Sequence, residues 1–335
     1  MKKWLIYSGA TIVALILLVT AVGVVYETMG RSRAAREFPP QGKLVDIGGR
    51  RMQLDCRGSG SPTVVFEAGL DMNGSLSWSA VHDEVAKTTR ACAYSRAGIM
   101  WSDPSDGPQN AKTIAEDLHA VLAKAGERPP YVLAGHSLGG PYIMTYTKYY
   151  GPEVAGLVFV DASHPDQVQR FNAVTTYSPS SMLPMIKAGV ALAWAGAVRA
   201  TPMASQGAPR QPPRAVQAMA AYAPTSLGAM LKEMESVDLT LAEAGTIRQL
   251  GNRPVFVLTS MLPLPDEALA ALKLTAEQGR QYKEVWKALH DEEASWSSDS
   301  RHQLVADAGH YIQFERPDIV VEAVRAVVGS VRAQH

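Results

Sequence analysis

The stretch Tyr131-Val132-Leu133-Ala134-Gly135-His136-Ser137-Leu138-Gly139-Gly140 decides the fold. A Gly-x-Ser-x-Gly pentapeptide is a weak signal when it stands alone. Here four apolar residues precede it as a buried-type strand, and a helical stretch opens from about residue 139. A tight strand-to-helix turn of this kind holds its serine above the sheet, with the hydroxyl exposed and the positive end of a helix beneath it. Gly135 and Gly139 leave room for the bend.

Working outward, Leu44–Ile47 and Arg51–Cys56 read as short strands, and Thr63–Glu67 as a buried strand after the turn signal Gly58-Ser59-Gly60-Ser61-Pro62. A helix over about 77–88 leads to a strand Arg90–Tyr94. Thr113–Lys124 has a helical apolar face, with Thr113 and Glu116 spaced as a capping box. Strands Leu157–Val160, Val255–Thr259 and Gln303–Ala306 follow, and a last helix starts at Pro317. Strands alternating with helices predict a mostly parallel sheet covered on both faces. Residues 165–245 break the pattern. They carry Met- and Ala-rich helical pieces and no convincing strand.

The segments VVFEAGL (64–70), RACAYSRAG (90–98), LAGHSLGG (133–140), LVFVDASHP (157–165) and VADAGHYIQFERPDIV (305–320) occur in one telling order. With them the chain resembles the α/β-hydrolase fold superfamily over residues 44–333, and is similar to its bacterial membrane- or envelope-associated serine hydrolases. The resemblance implies an α/β fold with a mostly parallel central sheet, helices on both faces and a helical cap. The expected organisation is an N-terminal anchor or signal peptide over 1–30, a polar linker over 31–43, a core from 44–164 and 246–335, and a cap over 165–245. Ser95 departs from the pattern, since relatives usually carry Asp there, and this puts a loop-bracing contact in doubt.

By the same resemblance Ser137 is the expected nucleophile and His310, between the last strand and last helix, its base. The resemblance favours Asp161, which directly follows Leu157–Val160, as the carboxylate that orients the base; Asp266, beyond Val255–Thr259, is the alternative, and Glu67 is a more distant candidate. Both aspartates satisfy the chain order Ser…Asp…His. The oxyanion donors implied are the backbone N–H groups of Leu138 and Leu70. The expected activity is hydrolysis of an acyl bond in a small-molecule substrate, a carboxylic ester first. Amide or peptide cleavage, acyl transfer and a non-catalytic envelope role are the alternatives.

The N-terminus adds a compartment. Trp4 to Tyr26 holds no charged residue and would form a helix of about 34 Å, enough to cross a bilayer. Lys2 and Lys3 precede it, and Arg31, Arg33 and Arg36 follow, so charge alone leaves its orientation nearly balanced. Ala21-Val22-Gly23 would serve as a cleavage site, which keeps a secreted or periplasmic form as the alternative to a single-span anchor. In the sheet order of the resembled fold, Cys56 and Cys92 fall on antiparallel neighbours and can form a disulfide; that bond favours an extracytoplasmic domain. With 32 basic and 32 acidic residues among 335, a nucleic-acid partner is not expected. No Cys/His cluster, dinucleotide fingerprint or phosphate loop suggests a metal or cofactor.

Overall fold

The structure is a computed structural model that describes residues 2–175, 179–201 and 206–334. In chain order the elements are α1 (Lys2–Glu37), β1 (Lys43–Asp46), β2 (Arg51–Arg57), β3 (Thr63–Glu67), α2 (His82–Ala86), β4 (Ala91–Tyr94), α3 (Ala111–Ala125), β5 (Tyr131–His136), α4 (Gly139–Tyr150) and β6 (Val154–Val160). Then come α5 (Gln167–Phe171), α6 (Leu183–Leu192), α7 (Pro213–Glu235), α8 (Val237–Ala244), β7 (Val255–Ser260), α9 (Asp266–Leu272), α10 (Ala276–Ser295), β8 (Ser300–Val305), α11 (Ile312–Glu315) and α12 (Pro317–Gln334).

The eight strands form one sheet in the order β1-β2-β4-β3-β5-β6-β7-β8. β2 runs antiparallel to both β1 and β4, and every other pair is parallel. The central strands are near-continuous apolar runs because helices cover both faces. Alternate side chains go to opposite cores. Val64, Val132 and Val158 pack with Val85 of α2 and with Val320 and Val324 of α12. Val65, Leu133 and Leu157 pack with Leu118 of α3 and Ile143 of α4.

Between β6 and β7 the described residues form helices and turns with no strand. Other features depart from the sequence reading. The stretch 31–43, expected as a linker, is helical as far as Glu37. Arg31–Glu27 and Arg33–Glu37 pairs at i,i+4 and a buried Ala34 extend α1 past the apolar segment. Helix α3 is capped by Asn110, whose side chain accepts from Thr113 N–H at 3.1 Å, so Thr113 lies inside the helix. Ser95, where an Asp was expected, still braces its loop: it is buried, donates to Gln53 Oε1 at 2.7 Å and accepts from Ser75 N–H at 3.3 Å.

Cys56 and Cys92 face each other across β2 and β4 and are joined by a disulfide, with Cα atoms 4.0 Å apart.

Candidate active site

Ser137, Asp161 and His310 lie after β5, β6 and β8, at the carboxyl edge of the parallel sheet, where open α/β sheets bind their ligands. Ser137 has φ +52 and Asp161 φ +44, a left-handed backbone that costs a non-glycine residue free energy and persists only where its surroundings hold it. They do so here. Ser137 N–H donates to Val160 O at 3.3 Å, its carbonyl accepts from Gly140 N–H at 2.9 Å and Ser163 N–H at 2.8 Å, and Asp161 N–H donates to Leu258 O at 2.8 Å. Leu138 follows as the N-cap of α4, its side chain buried.

His310 Nδ1 lies 2.7 Å from Asp161 Oδ2. A ring nitrogen beside a carboxylate carries the proton, which leaves Nε2 as the imidazole's free basic lone pair. Asp266, the alternative carboxylate, is exposed in the first turn of α9, and Nδ1 of His310 is taken by Asp161. Three further donors hold Asp161: Ser260 N–H to Oδ1 at 2.8 Å, Ser260 O–H to Oδ2 at 2.9 Å, and Trp286 Nε1–H to Oδ1 at 2.8 Å. Lys283 Nζ donates to both oxygens of Ser260 at 3.0 Å. Burial alone would push this carboxyl up. The His310 hydrogen bond and the charges of His310, His290 and Lys283 instead hold it well below the usual carboxylate range.

The turn after β3 is organised by Arg96. All five guanidinium N–H groups are used: Nη1 donates to Glu67 Oε1 and Ala68 O at 2.8 Å, Nη2 to Gly69 O at 2.6 Å and Glu233 Oε2 at 2.8 Å, and Nε to Glu233 Oε1 at 2.8 Å. A trans peptide points its N–H opposite its carbonyl, so fixing Gly69 O toward Arg96 aims the N–H of Leu70 the other way. Gly69 also abuts Ser137, since a Cβ there would sit 2.9 Å from Ser137 Cβ. Glu67 is thus a partner of Arg96 and of Tyr94, whose O–H donates to it at 2.5 Å. Burial outweighs these partners and raises its carboxyl to about 7.

His136 turns beneath the site, and its Nε2–H donates to the carbonyl of His310 at 2.9 Å. Burial, with the neighbouring His310, lowers it to about 3 and keeps it neutral. His136, Ser260, Trp286 and Lys283 were not assigned from sequence. Trp286 and Lys283 lie on α10, whose start was signalled by the capping box of Thr275 and Gln278. Elsewhere His164, Asp166 and Glu292 converge in a way that could hold a metal ion. Arg248 already pairs with both Asp166 and Glu292 at 2.7–2.8 Å and supplies the positive charge there.

Among known proteins, the family model described as Alpha/beta hydrolase family matches residues 57–323. The chain is similar in structure to an esterase from Thermogutta terrifontis, with TM-score 0.57 and 18% identity over 87% of this chain and 98% of that one. It is also similar to a probable hydrolytic enzyme from Pseudomonas aeruginosa PAO1, with TM-score 0.61 and 18% identity over 83% and 90%. In sequence it is 27% identical over 158 residues to the uncharacterized protein YbdG of Bacillus subtilis (strain 168), covering 47% of this chain. The matched length is about half of that relative, 49%. A family match across most of the chain and a sheet of this order lead to one conclusion: the chain belongs to the alpha/beta hydrolase family.

Proposed function

We propose that the protein is a serine hydrolase that cleaves a carboxylic ester through an acyl-enzyme on Ser137. The observation that carries this reading is the 2.7 Å contact between His310 Nδ1 and Asp161 Oδ2 beside the strained turn of Ser137. In the first step His310 Nε2 takes the hydroxyl proton as Ser137 Oγ adds to the acyl carbonyl. The N–H groups of Leu138 and Leu70 receive the developing oxyanion, and Asp161 stabilises the imidazolium. Collapse expels the alcohol, which leaves with the proton from His310. Water then repeats the sequence, with His310 as base, and releases the acid. The fold on which this chemistry is proposed is shared with the esterase from Thermogutta terrifontis.

Ser137→Ala should abolish covalent labelling by a fluorophosphonate probe while leaving the thermal melt nearly unchanged, and an ester panel should be turned over faster than a peptide panel. Labelling that persists in the variant would overturn the assignment of the nucleophile.

We also read α1 as a retained single-span anchor, with the catalytic domain outside the cytoplasm. The Cys56–Cys92 bond supports an oxidising compartment. Retention is favoured because cleavage at Ala21-Val22-Gly23 would cut into a continuous helix at the level where it begins to dock on the rest of the chain.

A further inference from the structure

Helix α1 is exposed along its apolar length, but one stripe of its second half is covered. Glu27 and Ala34 are buried, as is Phe38 just past its end, while Gly23 and Gly30 are half-buried. These positions recur every three or four residues and lie on one face. The glycines permit close approach: a Cβ on Gly23 would lie 2.2 Å from Ala195 O, and one on Gly30 would lie 2.3 Å from Arg199 Nε. Between them Glu27, 2% exposed, pairs with Arg199 at 2.8 Å, and Arg199 also donates to Ala221 O at 3.0 Å. Just beyond α1, Phe38 O accepts from Trp101 Nε1–H at 2.9 Å and Tyr222 O–H at 3.1 Å. The helix is therefore fixed to the 183–235 region as a strut.

The level of this docking is informative. Residues 4–22 would span about 28 Å, close to the hydrocarbon thickness of a bilayer, so Gly23 and Glu27 fall at its edge. The short turn that touches Gly23, Ala193–Ala195, is at that same edge. It ends α6, where the exposed positions Pro184, Met185, Ala188, Ala191 and Leu192 form an uncharged stripe and Lys187 is the one other exposed residue. Met185 is 49% exposed, Leu192 53% and the adjoining Trp194 55%. A helix facing water places polar residues on such a stripe. The one charge within α6, Lys187, is exposed at the border of this stripe, about 40° around the helix from Ala191, and pairs with Glu235. An apolar face ending in a Trp, joined to the bilayer edge of a span, has the composition of an interfacial membrane contact.

The geometry points to a second membrane contact. The apolar face of α6 and Trp194 rest in the interfacial layer of the bilayer beside α1, so that the domain is held in one orientation on the lipid surface. This rests on the reading of α1 as a retained anchor. The occupant is lipid, because the face is continuous with the one segment of the described chain long and apolar enough to span a membrane.

The test uses the full chain in vesicles of phosphatidylcholine and phosphatidylglycerol, with a nitroxide on one introduced thiol at a time. The native cysteines are bonded to each other and leave that thiol as the reactive one. Leu192→Cys and Trp194→Cys should be accessible to oxygen and lose accessibility to a water-soluble nickel chelate, as Val19→Cys does within the span. Lys124→Cys, at the far end of α3, should remain open to the chelate. If 192 and 194 are open to the chelate while 19 is shielded, the second contact is overturned and the anchor stands. If 19 is open as well, the anchor reading itself fails.

Discussion

Four donors converge on the two oxygens of Asp161, and only one of them belongs to His310. A carboxylate so fully satisfied stays ionised and fixed, which is what an imidazole needs from its orienting partner. His136 holds the same ring from its backbone side. Its buried ring sits at about 3 in the folded protein, against roughly 6.5 in an unfolded chain. The unfolded state therefore binds the extra proton between these values, and the folded protein loses stability as pH falls below about 6.5. A His136→Gln variant has no such proton to lose. It should be less stable than the parent at pH 8, and the gap should close by about 1.4 kcal/mol per pH unit below about pH 6. Urea titrations of the detergent-solubilised protein at several pH values would show this; a constant gap from pH 8 to 5 would remove His136 from the account. Ser137 and His310 stand out in the sequence as candidates because a tight strand-to-helix turn and a strand end carry local signatures. The proposal of Asp161 over the alternative Asp266, favoured by the resemblance, gains support from a contact with the ring 149 positions away, which no spacing encodes.

At the scale of elements, Arg96 connects three of them: the turn after β3, the loop after β4, and α7 through Glu233. Its two glutamates are buried and have no solvent to fall back on, so breaking the set leaves uncompensated charge. Arg96→Met should cost about 3–5 kcal/mol of unfolding free energy by urea titration. In the fraction that folds, kcat should fall more than KM rises, because the Leu70 N–H would lose its aim rather than the substrate its pocket. An unchanged kcat would detach Arg96 from the oxyanion turn. Its segment was legible as part of an ordered motif, yet its role was not, because Glu233 lies on a helix 137 positions away. The strands were legible as elements, Thr63–Glu67 with its observed bounds, while β6 and β8 each begin three residues before the apolar run that signals them. α9 and α10 were not, since no segment of the ordered motif set falls between residues 262 and 298. Trp286 and Lys283 went unseen with them.

For the whole molecule, the disulfide closes a 36-residue separation between strands already paired. Chain-entropy reasoning assigns such a closure about 4 kcal/mol. Replacing both cysteines, Cys56→Ser with Cys92→Ser, should lower the urea midpoint correspondingly, while fluorophosphonate labelling of the folded fraction persists; an unmoved midpoint would make the bond irrelevant to stability. The Glu27–Arg199 pair has a different consequence, one of timing. Its members are 172 residues apart, and chains emerge from the ribosome N-terminus first. The carboxylate of Glu27 must therefore wait, with only Arg31 one turn on to pair with, through the synthesis of more than half the protein before Arg199 exists. Seating the strut is necessarily a late step in biogenesis. Until then, the glycine-notched face of α1 is open to whatever else can pack against it.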